Sequence, residues 1–359
     1  MSKCPFWVPK QGLTELCPPK LEFQGLWDHV TTLSGSSWWF GYGGQGTFLE
    51  NGFGLVGGRA FEETVLYTAD GGSTWSYTEL ERGTYSNPSV QADPDGGKLI
   101  VALNVQWDPI YYTEDGVNFF QHPDYSQIPN VGGWRDTFII LPDKGVADYW
   151  AYYPPGSSEY VQFVDAATGS NVNFGQAPLI YREDNGTLYG FSYGPYNLGY
   201  STDRVNWNFV VNPPGIPSDG GYLDVSPNTG VGLVWSKVQQ RFYFTTTGSS
   251  WRGIPPEIYT SEDFFNWERV DTPEWFNEDS FGSGLTHLLE TVTGEVLVIP
   301  FRSGAYRMGK LVDGEFERID SPLDSEDWVE TSIAVDPFNA QVFFFRINSN
   351  YDMEVYRYY

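Results

Sequence analysis

Cysteine is nearly missing from this 359-residue chain: Cys4 and Cys17 are the two present, both within the first twenty residues. A disulfide framework therefore does not organise the fold, and the pair reads equally as one small-loop disulfide or as two free thiols. Histidine is almost as scarce. His29, His122 and His287 lie too far apart in sequence to suggest a metal cluster by spacing. Positive charge is short as well, with 20 Lys and Arg against 46 Asp and Glu, a net charge of −26. Such acidity repels phosphate backbones and anionic lipid headgroups, so neither nucleic acid nor membrane insertion is expected. Apolar runs fall well short of the roughly 20 residues of a membrane span. The opening, MSKCPFWVPKQGLTELCPPK, lacks the apolar core of a secretion signal. No dozen-residue stretch keeps the i, i+3, i+4, i+7 pattern of an amphipathic helix.

Aromatic residues, by contrast, make up 18% of the chain, beside 40 Gly and 24 Pro. Short apolar runs such as KLIVALN, DTFIILPDKG, GEVLVIPFR and AQVFFFRIN are bounded by Gly, Pro, Asn and Asp. That pattern predicts an all-β protein.

One segment recurs. YTADGGSTW (Tyr67–Trp75) is followed by TEDGVNF (Thr113–Phe119), STDRVNW (Ser201–Trp207) and SEDFFNW (Ser261–Trp267). TTTGSSW (Thr245–Trp251) and LVDGEFE (Leu311–Glu317) look like weaker copies. Asp70, Asp115, Asp203, Asp263 and Asp313 are 45, 88, 60 and 50 residues apart, and Asp165 of FVDAATGSNVNF falls in the double-length gap. A second series of turns, out of phase with the first, centres on Gly35, Gly96, Gly145, Gly186, Gly230, Gly294 and Asn339. Each unit then reads strand, tight turn, strand, loop, strand, Asp-containing turn, strand. Four antiparallel strands repeated in this way predict a β-propeller of seven four-stranded blades, with six or eight as alternatives. The last unit holds three strands, so LEFQGLWDHV is expected to supply the fourth and close the ring. Residues 21–359 form the propeller domain in this reading, and residues 1–20 a Pro- and Cys-containing arm.

Physically, [Ser/Thr]-x-Asp followed by an aromatic is a turn lock. The carboxylate accepts turn N–H groups, the hydroxyl bonds nearby backbone, and the ring covers the hairpin. Structural roles are assigned accordingly to Asp70 and Trp75, Asp115 and Phe119, Asp203 and Trp207, and Asp263 and Trp267. The repeat resembles the Asp-box (BNR-repeat) propellers, a group that includes sialidases, xyloglucan-active glycosidases, sortilin-type receptors and a photosystem assembly factor. The resemblance spans about residues 25–320. It implies that the boxes join third to fourth strands, on the face opposite the ligand site.

If so, binding belongs to the second–third and inter-blade loops, where aromatics, carboxylates and arginines mix. The candidates are Trp107, Asp108, Trp134, Arg135, Asp136, Tyr153 (with Glu159), Tyr196, Trp275, Glu278 and Arg302. A sialidase needs three arginines and an early Arg-Ile-Pro segment, and neither can be placed here. Carboxylate pairs such as Asp108 with Asp136, or Glu278 with Asp279, keep another glycan-cleaving enzyme as an alternative. No catalytic residue, metal or cofactor is assigned. The expected function is a non-catalytic recognition or assembly subunit of a larger particle, such as a phage tail or virion. It would contact other protein subunits through the N-terminal arm and bind cell-surface glycan. An intracellular assembly factor is the further alternative, with a cytoplasmic location in place of an extracellular particle.

Overall fold

The computed structural model describes residues 25–34, 45–59, 63–80, 89–102, 110–125, 128, 139–148, 150–174, 179–192, 197–211, 213–216, 232–245, 257–273, 286–300, 308–322, 331–348 and 350–359. The arm, with Cys4 and Cys17, lies outside them. Among the described residues every regular element is a strand. After β1 (Trp27–Leu33) come antiparallel groups of four. The first is β2 (Gln45–Phe48), β3 (Gly54–Arg59), β4 (Glu63–Thr68) and β5 (Ser76–Leu80); the second is β6 (Ser89–Ala92), β7 (Leu99–Ala102), β8 (Tyr111–Thr113) and β9 (Phe120–Gln121). The third is β10 (Ile139–Ile140), β11 (Val146–Ala147), β12 (Ala151–Tyr153) and β13 (Val161–Gln162). A short β14 (Val164–Asp165) precedes the fourth, β15 (Ile180–Arg182), β16 (Thr187–Ser192), β17 (Asn197–Ser201) and β18 (Asn206–Val211). The fifth is β19 (Leu233–Ser236), β20 (Arg241–Thr245), β21 (Ile258–Ser261) and β22 (Glu268–Arg269); the sixth is β23 (Thr286–Glu290), β24 (Val296–Pro300), β25 (Gly309–Val312) and β26 (Glu315–Arg318). The chain closes with β27 (Thr331–Asp336), β28 (Gln341–Ile347) and β29 (Met353–Tyr358).

The closing group lacks a fourth strand of its own. β1 supplies it, running antiparallel to β29 with Trp27 opposite Tyr358 and Leu33 opposite Met353. A bulge between His29 and Thr31 interrupts the register, a common device for protecting a sheet edge.

The hydrogen bonding departs from seven separate four-stranded blades. Six sheets form: three of four strands in the second, third and fifth groups, a fourth of four strands in the sixth, one of five strands and one of eight. Two pairings cause the difference. β2 lies parallel to β27, which fuses the first and closing groups. β14 lies parallel to β18, which widens the fourth group.

First strands of neighbouring groups touch (β2 with β6, β15 with β19, β19 with β23), so they face the centre. The apolar core lies in the seams. Leu55 and Val65 of the first group meet Val90, Leu99 and Val101 of the second. The second meets the third through Ile100, Tyr125, Val146 and Tyr153. Similar clusters join third to fourth, fourth to fifth, fifth to sixth and sixth to closing group. Phe48, Leu66 and Trp75 then pack on Phe343, Phe345 and Val355, joining the closing group to the first.

Gly96, Gly145, Gly186, Gly294 and Asn339 lie at first-to-second-strand turns, as the sequence suggests. Gly35 and Gly230 are outside the described residues. The corresponding turns are instead Glu50–Gly52 and Lys237–Gln240. Gly52 has φ +84°, and a Cβ there would sit 3.1 Å from the Gly71 amide nitrogen, which bonds the Gly52 carbonyl. One weaker copy and the Asp165 segment are reassigned, while LVDGEFE does span the third-to-fourth turn of the sixth group. Thr245 ends a second strand, so TTTGSSW does not begin at a third-to-fourth turn; its Oγ1 accepts the Gly232 N–H. Asp165 follows the third group, in the β14 turn. The third-to-fourth turn of that group is residues 154–160, which contain no aspartate.

Candidate functional site

The first-to-second and third-to-fourth turns share one edge of the ring, here the turn edge. The boxes occupy it and form nearly identical locks. Asp263 Oδ1 accepts the N–H groups of Phe265 and Asn266, each at 2.8 Å, and Oδ2 accepts the Asn266 side-chain amide at 2.7 Å. The Ser261 hydroxyl adds a bond at 3.1 Å and receives the Phe264 N–H at 2.9 Å. Asp203 repeats this with Val205, Asn206 and Ser201; Asp115 does so with Val117, Asn118 and Thr113. In the longer first box Asp70 takes both the N–H and the hydroxyl of Thr74.

These bonds set the chemistry. The backbone N–H of Asn118, its side-chain amide and the Val117 N–H hold Asp115 at a pKa of about 2. Burial works against Asp263, and its Asn266 and Phe265 donors overcome that, leaving it also at about 2. Asp70 and Asp203 are lowered in the same way, donors outweighing burial. A carboxylate ionised this firmly is a poor proton donor near neutral pH. The boxes hold turns.

The three box tryptophans are buried and Phe119 is half-buried. Trp75 and Trp267 donate their indole N–H to the carbonyls of Gly72 and Phe264, at 3.1 and 3.0 Å. Trp207 packs on Phe174 and Phe163 instead, and its indole N–H has no hydrogen-bond partner among the described residues. Phe119 packs at the seam of the first two groups.

Other turn-edge side chains tie neighbouring groups together. Lys144 of the third group bonds Asp95 and Asp124 of the second, at 2.5 and 3.0 Å. Arg204 crosses from the fourth group to Asp143 and the Tyr152 hydroxyl of the third. Gln239 reaches the carbonyls of Gly294 and Leu311 and receives the Asp313 N–H. The sequence reading missed this clasp because an isolated Gln in a turn carries no pattern. It also missed the buried His122–Asp93 pair, 3.1 Å apart, which a search for clustered histidines passes over.

Apart from Glu159, Tyr153 alone of the proposed surface residues is described. It is buried in the seam of the second and third groups, 1% exposed, with its hydroxyl 3.4 Å from Asp148. It packs the ring and offers no face to a ligand. Glu159 lies in the third-to-fourth turn, on the turn edge rather than the opposite one. Trp107, Asp108, Trp134, Arg135, Asp136, Tyr196, Trp275, Glu278 and Arg302 lie outside the described residues. They fall in segments joining second to third strands, or one group to the next.

Solved structures match this arrangement over nearly the whole chain. YCF48 bound to a D1 peptide is similar with a TM-score of 0.54 and 15% identity, covering 92% of this chain and 96% of that one.

The chain is a β-propeller.

The structure of the mitotic checkpoint complex contains a propeller similar to this one at a TM-score of 0.52 and 13% identity, covering 100% of this chain and 99% of that one. The Myceliophteria thermophila Cps50 (Swd1) β-propeller domain follows at 0.51 and 11%, covering 92% and 99%. No protein-family model and no curated protein matches the sequence. At such identities the likeness speaks for the fold alone.

Proposed function

We propose that this propeller is a non-catalytic recognition and assembly module that binds a protein partner, as a subunit of a larger particle such as a virion or phage tail. One observation carries the reading. The carboxylates of Asp70, Asp115, Asp203 and Asp263, which most resemble catalytic groups in the sequence, are saturated by their own turns, which lower all four and hold Asp115 and Asp263 at about 2. Of the similar propellers, one is bound to a peptide and another belongs to a multi-protein complex. The partner is assigned to the edge opposite the boxes because the turn edge is occupied by clasps between groups, and the candidate aromatics and arginines belong in sequence to second-to-third and inter-group segments.

Seven blades and an Asp-box lineage belong to the same proposal. Five sheets stand alone, and the eight-stranded sheet divides at its single parallel pairing into two antiparallel quartets, which gives five plus two. The seam clusters, running from the first group round to the closing group and back, support that count.

Hydrogen-exchange footprinting of the chain free and in its native assembly tests the function. Protection is expected in residues 103–109, 193–196 and 301–307, with the box turns unchanged. Protection confined to the box turns would overturn the assigned edge. A chain that releases new reducing ends from any polysaccharide in a broad panel would be the enzyme of the alternative reading.

A further inference from the structure

Asp148 sits at the corner between β11 and β12, a short connection between a second and a third strand. Its residue is fully buried, at 0% exposure. Oδ1 accepts the N–H groups of Trp150 and Ala151, at 2.9 and 2.8 Å, and Oδ2 lies 3.4 Å from the Tyr153 hydroxyl. None of these partners carries positive charge. The cations along the two flanking seams already have carboxylate partners: Lys144 with Asp95 and Asp124 on one side, and Arg204 with Asp143 on the other. His122 is paired with Asp93 in the seam toward the second group, and Tyr125 stacks on that imidazole at 4.4 Å. Tyr152, on the seam toward the fourth group, accepts a hydrogen bond from Arg204 at its hydroxyl oxygen. Two backbone amides, the Trp150 side chain and a long phenol bond, all uncharged, do not outweigh the loss of water around an ionised carboxylate at this depth.

The host blade also has the shortest strands among the described groups of four. Its strands are two, two, three and two residues long, and its third-to-fourth turn lacks the carboxylate lock. A charge forced into this corner therefore meets little resistance from the surrounding hydrogen bonds.

We propose that Asp148 is a proton-dependent latch: protonated, it holds the 146–153 corner closed, and ionisation releases that corner on the edge opposite the boxes. Burial is the main force raising its pKa to about 7, against the pull of the Trp150 and Ala151 amides. The folded pKa thus lies above the unfolded one. Stability from this group is full below about pH 4 and is lost as pH rises through about 7. The latch is a property of the blade itself and holds whatever partner the propeller binds.

The test is hydrogen exchange of residues 146–153 at pH 6 and pH 8, expressed as protection factors to remove the intrinsic pH dependence. Protection in the native chain should fall about tenfold between the two, the linkage expected for one group titrating midway. In Asp148→Asn, which keeps the acceptor oxygen and cannot ionise, protection should not change with pH. Infrared difference spectra over the same range give a second reading without relying on that variant's folding. A protonated-carboxyl band should be lost from the native chain on going to pH 8. Tyr153→Phe, which removes a donor to the carboxylate, should move that loss to higher pH. Equal protection at both pH values, or no protonated-carboxyl band at pH 6, would overturn the latch.

Discussion

The third and fifth blades obtain their order in opposite ways. The fifth carries its own lock: its strands run four, five, four and two residues, Asp263 holds its outer turn, and Trp267 covers Phe242, Phe244 and Phe264. The third has no lock. Its outer turn is held by Ser157, which exchanges hydrogen bonds with the backbone of Glu159. Support arrives from outside, through Lys144 to the second blade, Arg204 from the fourth, and the Gln91 side chain accepting the Ile140 N–H. A repeat can lose its local motif when neighbours on both sides reach across. The cost is that its stability depends on electrostatics and on the seams.

Four substitutions would sharpen that contrast. Trp267→Ala should have the largest effect, about 3–5 kcal/mol by denaturant unfolding, since it empties a site filled by three aromatic rings. A loss under about 1 kcal/mol would mean that the fifth blade does not depend on its box tryptophan. Asp263→Ala should cost about 1–2 kcal/mol at neutral pH by releasing its turn amides. Because the folded carboxylate sits near 2, that contribution is present above about pH 4 and fades as pH falls toward 2. Solvent exposure of the group keeps the pH-dependent part near about 1 kcal/mol. Thermal melts of both forms at pH 7 and pH 2.5 would show the difference closing.

Arg204→Ala should destabilise by about 1 kcal/mol at low salt, the scale of a partly exposed ion pair. Its effect should shrink in 1 M salt, whereas that of Trp267→Ala should not. An Arg204→Ala penalty unchanged by salt would point to the packing of its side chain on Tyr152 instead. Ser157→Ala should fall within about 0.5 kcal/mol, the range of exposed surface changes. A larger loss would show that the third blade has a lock of its own after all.

The repeat made the architecture readable because a turn lock is local: Ser261, Asp263 and Asn266 specify it within six residues. The borrowed strand was equally readable, since the last unit was one strand short. Phase was harder. In the third blade, with no box to mark the outer turn, Tyr153 and Glu159 were read as lying on the wrong edge. The turn at Gln240 escaped a search keyed to Gly and Asn because a non-glycine residue adopts φ +54° there. Lys144, Arg204, Phe264 and Ala340 likewise take positive φ, in turns whose contacts are tertiary as well as local. Asp148 looked like any loop acid. Its burial follows from two seams closing around it, which no local pattern records.

The parallel pairing of β2 with β27 has a consequence for the order of assembly. β27, β28 and β29 slot between β1 and β2, two strands that are close neighbours in sequence. Asp28 meets Arg357 across 329 positions of chain, and Gly57 meets Ser332 across 275. Until residues 331–359 emerge from the ribosome, the early strands hold two open edges around the place of three missing strands. Contacts of such sequence separation form slowly, and unpaired edges invite strands from other chains. This last three-stranded segment is therefore both the keystone of the ring and the step at which a nascent chain is most exposed to mispairing.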